Sequence, residues 1–246
     1  MIPKVIHYCW FGGNEKTELI RECIKSWKKY MPDYEIIEWN ETNFDINSNL
    51  YVAQAYKAKK WAFVSDYARL YAIYNFGGIY FDTDVEVIKP MDDFIRDEAF
   101  TGFESKDSPV TAIMGAEKGH ILFKELLEHY KSIQFINDDG TYNMVTNTHI
   151  ITDYLVKNGI KKNGKEQEIN GFKVYPAIYF CPNNFSRIFN ITSKKSYTIH
   201  HFDQSWRDKK RDETKLLGRI RRYIVGVLRD IAGTDTLERI KKTLKF

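Results

Sequence analysis

Trp61-Ala62-Phe63-Val64-Ser65-Asp66-Tyr67-Ala68-Arg69-Leu70-Tyr71-Ala72-Ile73-Tyr74-Asn75-Phe76-Gly77-Gly78-Ile79-Tyr80-Phe81-Asp82-Thr83-Asp84-Val85-Glu86-Val87 is the stretch on which the fold turns. Residues 61 to 75 predict a long helix that stops at Phe76-Gly77-Gly78, with glycine in the C-terminal capping position. Residues 79 to 87 predict a strand. Its alternation sends Tyr80, Asp82, Asp84 and Glu86 to one side and Ile79, Phe81, Thr83 and Val85 to the other. Two carboxylates one residue apart at the end of an apolar strand can hold a divalent cation against the oxygens of a diphosphate. Hard oxygen ligands favour Mg²⁺ or Mn²⁺, which offsets the charge on a departing diphosphate. An isolated Asp-x-Asp is more often a solvated strand end. Here Asp66 and Arg69, at i and i+3, share the face of the preceding helix and point to one cleft with it, or else form a surface ion pair.

Outward from this stretch the pattern stays α/β. Residues 2 to 13 form a nearly all-apolar strand ending in Gly12-Gly13, as in a parallel sheet buried on both faces. Residues 17 to 30 have helical spacing, and residues 34 to 39 read as a second strand, which makes a β-α-β opening. Further on, 51 to 59 predicts a short helix, 99 to 116 short strands, 119 to 132 and 143 to 157 helices, 161 to 168 a loop, and 172 to 180 and 197 to 201 strands. One domain over 1–206 followed by a tail over 207–246 accounts for the pattern.

The chain has 246 residues, 43% hydrophobic and 28% charged, which excludes collagen-like and wholly disordered classes. Aromatics reach 15%, enough to furnish both a core and a cleft that stacks flat ligands. No run is long enough for a membrane span and no leader is evident, so the expectation is a cytoplasmic protein. Cys9, Cys23 and Cys181 lack metal-site spacing and suit a reducing compartment. The net charge of +4 is uneven: 207–246 carries +7 and 1–206 carries −3. A mildly acidic body does not suit nucleic acid; the basic arm suits an anionic surface.

The stretch 62–84 resembles the DXD-containing sugar-binding region of glycosyltransferase family 32, which includes bacterial capsule and O-antigen enzymes and is distantly similar to the glucosylating domains of clostridial toxins. The resemblance extends to His7-Tyr8-Cys9-Trp10-Phe11-Gly12-Gly13 and to His200-His201-Phe202-Asp203-Gln204-Ser205-Trp206. It implies a GT-A-type fold, with a mixed, mostly parallel sheet and helices on both faces. It also implies a retaining, metal-dependent transfer of a hexose from a nucleotide sugar, a UDP-sugar foremost, to a saccharide hydroxyl. Trp10 would stack on the base, Asp66 would accept from sugar hydroxyls, and Arg69 would donate to sugar and phosphate. Asp82 would contact ribose or metal-bound water, Asp84 would ligate Mn²⁺ or Mg²⁺, His201 would complete the metal shell, Trp206 would lie over the donor phosphates, and Ser205 would belong to the nucleotide-sugar-binding set. Relatives carry Thr-Gly-Pro where this chain has Thr146-Asn147-Thr148, a departure on the acceptor side.

Two other readings compete. An Asp-x-Asp phosphatase would need Thr or Val where Glu86 stands and its motif on the first strand; an inactive glycan- or membrane-binding module would not need an intact metal triad. In the tail, Leu216, Leu217, Ile220, Tyr223, Ile224, Val227, Leu228 and Ile231 recur at helical spacing with Arg219, Arg221, Arg222 and Arg229 on the flanks or opposite face. Residues 215–246 thus suit either an anionic membrane surface at the inner face of the cell membrane, near a lipid-linked acceptor, or packing on the domain.

Overall fold

The computed structural model describes residues 1–110, 112–182 and 192–203. The tail over 207–246, with Ser205 and Trp206 before it, lies outside the described residues. The opening is β1 (Val5–Cys9), α1 (Glu18–Tyr30) and β2 (Glu35–Trp39), with the two strands paired in parallel. Then follow α2 (Leu50–Lys57), α3 (Trp61–Phe76), β3 (Gly78–Phe81), β4 (Val85–Val87), β5 (Ala99–Gly102), β6 (Ile113–Ala116), α4 (Ile121–Lys131) and α5 (Asn147–Lys157). The described chain closes with β7 (Gln167–Ile169), β8 (Phe172–Tyr175), α6 (Ala177–Phe180) and β9 (Thr198–His200).

Seven strands form one sheet in the order β2-β1-β3-β6-β5-β8-β7, and β4 pairs with β9 in a separate two-stranded ribbon. β1, β2, β3, β5 and β8 run one way, while β6 and β7 run against them. This is the expected mixed, mostly parallel sheet. Alternation of side chains gives it two apolar faces and therefore two cores. Tyr80, Met114 and Val174 join α2, α3, α4 and α5 on one face, whereas Ile79, Phe81 and Ile113 join α1, α6 and the β4 strand on the other. All three cysteines are buried thiols. Among the described residues no helix is long and apolar enough to cross a membrane.

Two expected strands are interrupted partway along their sequence pattern. Residues 79–87 do not continue as one strand: β3 ends at Phe81, the backbone turns through Asp82–Asp84 with Val85 N–H on the Asp82 carbonyl at 3.1 Å, and β4 restarts in the ribbon. Parity survives the turn, since Phe81 and Val85 both enter the second core. Polar side chains at three successive positions satisfy themselves at the sheet edge more cheaply than inside the ladder. Likewise 172–180 splits into β8 and α6 at Pro176, which has no N–H to extend the ladder.

The step from α3 into β3 is held by backbone that only glycine accommodates. Gly77 and Gly78 have φ of +67° and +107°, and a Cβ on Gly78 would lie 2.6 Å from the Val5 carbonyl oxygen and 3.0 Å from His7 Nε2. In the space thus left, His7, fully buried, sets Nε2 at 2.7 Å from the Gly77 carbonyl and accepts the Trp39 indole N–H on Nδ1 at 3.1 Å. That pairing assigns the proton to Nε2. Burial pushes the imidazole down to about 4, outweighing the Gly77 carbonyl. A depressed imidazole adds stability that is complete above its unfolded value of 6.5 and lost as pH falls through the folded value. Urea unfolding should therefore show roughly 2–3 kcal/mol less stability at pH 4 than at pH 7 from this group alone. His7→Gln, which does not titrate, should flatten that part of the profile.

Candidate active site

The strands that run one way deliver Trp10, Asp82 and Glu104 to one edge of the sheet, just beyond the C-terminal ends of β1, β3 and β5. Helices α3 and α5 close over that edge. Between them lies a cavity of about 480 Å³ whose lining includes Trp10, Trp61, Asp66, Arg69, Tyr80, Asp82, Asp84, Glu104, Thr146, Thr148, His200 and Phe202. The crevice at the carboxyl ends of parallel strands is where open α/β sheets bind nucleotides.

Arg69 is the pivot of this site. Its guanidinium reaches Asp66 at 3.2 Å and Asp82 at 3.0 Å, and lies 4.7 Å over the Tyr80 ring. The arginine Nε donates to the Ser65 carbonyl at 3.2 Å, which fixes the fork against its own helix. Burial opposes the charge, but Asp82, Tyr80 and Asp66 more than compensate and hold the group above its ordinary value. Asp66, one turn earlier, is only 8% exposed and receives the backbone N–H of Asn147 at 3.1 Å on Oδ2. The Asn147 amide in turn donates to the Asp66 carbonyl at 2.7 Å, so the start of α5 is tied to the middle of α3.

Asp82, Asp84 and His200 stand together, with a ligand atom from each lying within 4.8 Å of the others. His200 Nε2 is 3.4 Å from Asp84 Oδ1, and Asp84 Oδ2 accepts the Asp203 N–H at 2.8 Å. Burial works against the Asp84 charge, yet His200 and that N–H outweigh it and keep the carboxyl below its usual range. Burial also disfavours an imidazolium at His200, but the Asp84 carboxylate raises it well above the ordinary histidine value. Two carboxylates and an imidazole converging on one point suit Mn²⁺, and Mg²⁺ less well. A cation there would take the place of the His200 proton.

Trp10, Asp66, Arg69, Asp82 and Asp84, expected from the sequence, all line this one cavity. His201 does not join them. Its Nε2 lies 2.9 Å from Glu86, away from the Asp82–Asp84 pair, and His200 takes the third position instead. Counting back from the tryptophan selects His201, but β9 pairs antiparallel with β4 so that His200 sits opposite Val85, next to Asp84. Strand register, which the count does not contain, aims the preceding side chain inward. Trp61 and Glu104 lie outside the motifs, and Tyr80 and Phe202, which lie inside them, received no role from the sequence. Gly12 is the signal for Trp61: a Cβ there would lie 2.5 Å from the Trp61 ring, so the glycine turn after β1 exists to admit it.

Asp66 carries a measurable cost. Burial raises its carboxyl to about 6, with Arg69 and the Asn147 N–H only partly offsetting it. A raised carboxyl binds more protons folded than unfolded, so its contribution is full below 3.8 and is lost as pH rises to about 6. Against Asp66→Asn, the wild type should lose on the order of 2–3 kcal/mol of relative stability between pH 3.8 and 6.5 in denaturant titrations. A pH-independent difference would remove this account of the buried carboxylate.

Known proteins bear on the same region. Residues 17–101 match the family model described as the glycosyltransferase sugar-binding region containing a DXD motif. The chain is 27% identical over 142 residues to inositol phosphoceramide mannosyltransferase 3 of Schizosaccharomyces pombe, covering 54% of this chain and 38% of that protein. It thus spans well under half of that relative's length. It is 25% identical over 221 residues, 84% of each chain, to an uncharacterised glycosyltransferase of Acanthamoeba polyphaga mimivirus. Among solved structures, the PaToxG glycosyltransferase aligns over 63% of this chain and 68% of its own at 18% identity and a TM-score of 0.49. A glycosyltransferase involved in glycosylation of the PBCV-1 major capsid aligns over 83% and 95% at 12% identity and a TM-score of 0.42. Asp82-Thr83-Asp84, which lines the cavity, falls within the residues that match the glycosyltransferase sugar-binding region containing a DXD motif.

Proposed function

We propose that this chain is a metal-dependent, retaining glycosyltransferase that moves a hexose from a nucleotide sugar, a UDP-hexose first among them, to a saccharide hydroxyl. The observation that carries the proposal is the convergence of Asp82, Asp84 and His200 beside the Arg69–Asp66 pair in one cavity. Asp82, Asp84 and His200 would hold Mn²⁺ or Mg²⁺, which when bound supplies positive charge to the diphosphate.

The chain's own groups do the rest. Arg69 presents a fixed fork to oxygens of the sugar and the diphosphate, and Asp66 accepts from sugar hydroxyls. Trp10 donates its indole N–H to the Asn14 carbonyl at 2.7 Å, which anchors the ring at the cavity wall for stacking on the base. In the transfer, the bond between hexose C1 and the diphosphate oxygen breaks with its electron pair leaving on the diphosphate. The acceptor oxygen bonds to C1 on the same face, and its proton passes to the diphosphate. Capsule or O-antigen synthesis supplies saccharide acceptors of this kind, and a lipid-linked one would account for an apolar stripe flanked by basic residues over 215–246 at an anionic membrane surface. The mannosyltransferase name of the yeast relative places GDP-mannose beside UDP-glucose and UDP-galactose in any donor screen.

Nucleotide release from these donors should need Mn²⁺ and should vanish in Asp84→Asn, which keeps the side-chain volume and removes the ligand charge. Near wild-type release in that variant would take Asp84 out of the metal site. Trp10→Ala should weaken UDP binding in calorimetry by about 1–3 kcal/mol, the value of one stacked base. An unchanged Kd would make Trp10 a packing residue only.

A further inference from the structure

Glu104 is the fourth carboxylate of the cavity, after Asp66, Asp82 and Asp84, and the family motifs give it no role. It stands two residues beyond β5 at the base of a tight loop, where its own N–H bonds the Ser108 carbonyl at 2.9 Å and Ser108 N–H bonds the Ser105 carbonyl at 3.0 Å. The loop therefore fixes its backbone. The other three carboxylates are engaged: Asp66 and Asp82 by Arg69, and Asp84 by His200 and the Asp203 N–H. The half-buried Glu104 side chain has no hydrogen bond or ion pair to any described residue.

Sheet order says where along a bound ligand this carboxylate falls. From β1, which delivers Trp10, the sheet runs through β3, which delivers Asp82, then β6, then β5. At about 4.8 Å per strand, Glu104 lies some 10 Å beyond Asp82 and some 14 Å beyond Trp10, on the side away from the base-stacking ring. That distance from the diphosphate site exceeds the width of one hexose ring, and Asp66 with Arg69 already serves the hexose next to the diphosphate. An unpaired carboxylate repels phosphate and accepts hydrogen bonds, a property that suits the hydroxyls of a saccharide. Thr146 and Thr148 line the same cavity at the start of α5 and supply hydroxyls that donate or accept.

We infer that Glu104 binds the hydroxyls of the acceptor saccharide, with Thr146 and Thr148 completing the acceptor subsite. The inference rests on the glycosyltransferase reading and adds to it a residue that selects the acceptor. The test partitions turnover between two products. Wild type and Glu104→Gln are given UDP-glucose, UDP-galactose or GDP-mannose with Mn²⁺ and a mixture of the methyl α-glycosides of glucose, galactose and mannose. Free hexose and glycosylated glycoside are then counted separately. Glu104→Gln keeps the side-chain volume and removes the charge. The ratio of transfer to hydrolysis should fall at least tenfold, with a raised KM for the glycoside, and Glu104→Asp should recover part of it. A ratio within twofold of wild type, or a wild type that hydrolyses donor yet glycosylates none of the glycosides, overturns the assignment of Glu104 alone. A wild type that releases nucleotide from no donor overturns the glycosyltransferase reading itself, and the acceptor subsite with it.

Discussion

A half-buried arginine, paired on both sides, holds the working end of this molecule together. Arg69 reaches a carboxylate on its own helix and another at the end of the adjacent strand, and covers the ring that lies between them in sequence. A desolvated cation tolerates such a position only with partners in good geometry, and removal of one partner from a buried pair costs about 3–5 kcal/mol. The charge that would orient a diphosphate is thus also the charge that locks α3 against the tip of β3. Folding and the proposed donor binding share one group.

The rest of the scaffold serves that lock. The glycine pair after α3 lets the chain reverse directly into β3 beside β1, and the neutral His7 beneath it fills and satisfies the junction. Without this short connection Asp66 and Asp82 would not meet the same guanidinium. On the far side, the Asn147 clamp draws the start of α5 onto Asp66 and so brings Thr146 and Thr148 to the cavity wall. Relatives with Thr-Gly-Pro at this place would lack the amide side chain that makes the second half of the clamp. In this chain Asn147 is therefore a structural contact, and Thr146 and Thr148 on either side of it line the cavity.

Much of the site was legible because its signals are local. The helix from Trp61, its glycine stop and the Asp-x-Asp follow one another without interruption, and i, i+3 spacing on a helix places Asp66 beside Arg69 whatever surrounds them. The β-α-β opening was equally plain, since an unbroken apolar run can be buried on both faces only in a sheet covered by helices. What proved shorter than its pattern, at Asp82–Asp84 and at Pro176, did so where polar groups or a missing N–H stopped a ladder that alternation alone would continue.

The sequence by itself determined the α/β class, the helix–glycine–strand unit and the carboxylates at its end, because these depend on periodicity and on backbone preferences within a few residues. Only the tertiary structure decided that His200 rather than His201 faces those carboxylates, that Trp61 presses against the Gly12 turn, and that Glu104 shares their cavity. Each depends on elements far apart in the chain: the register of β9 on β4, the contact of α3 with the end of β1, and a strand order in which β6 separates β3 from β5. A one-residue change of register exchanges inward for outward side chains, and such a register is set by the packing of both partners rather than by either strand's own residues.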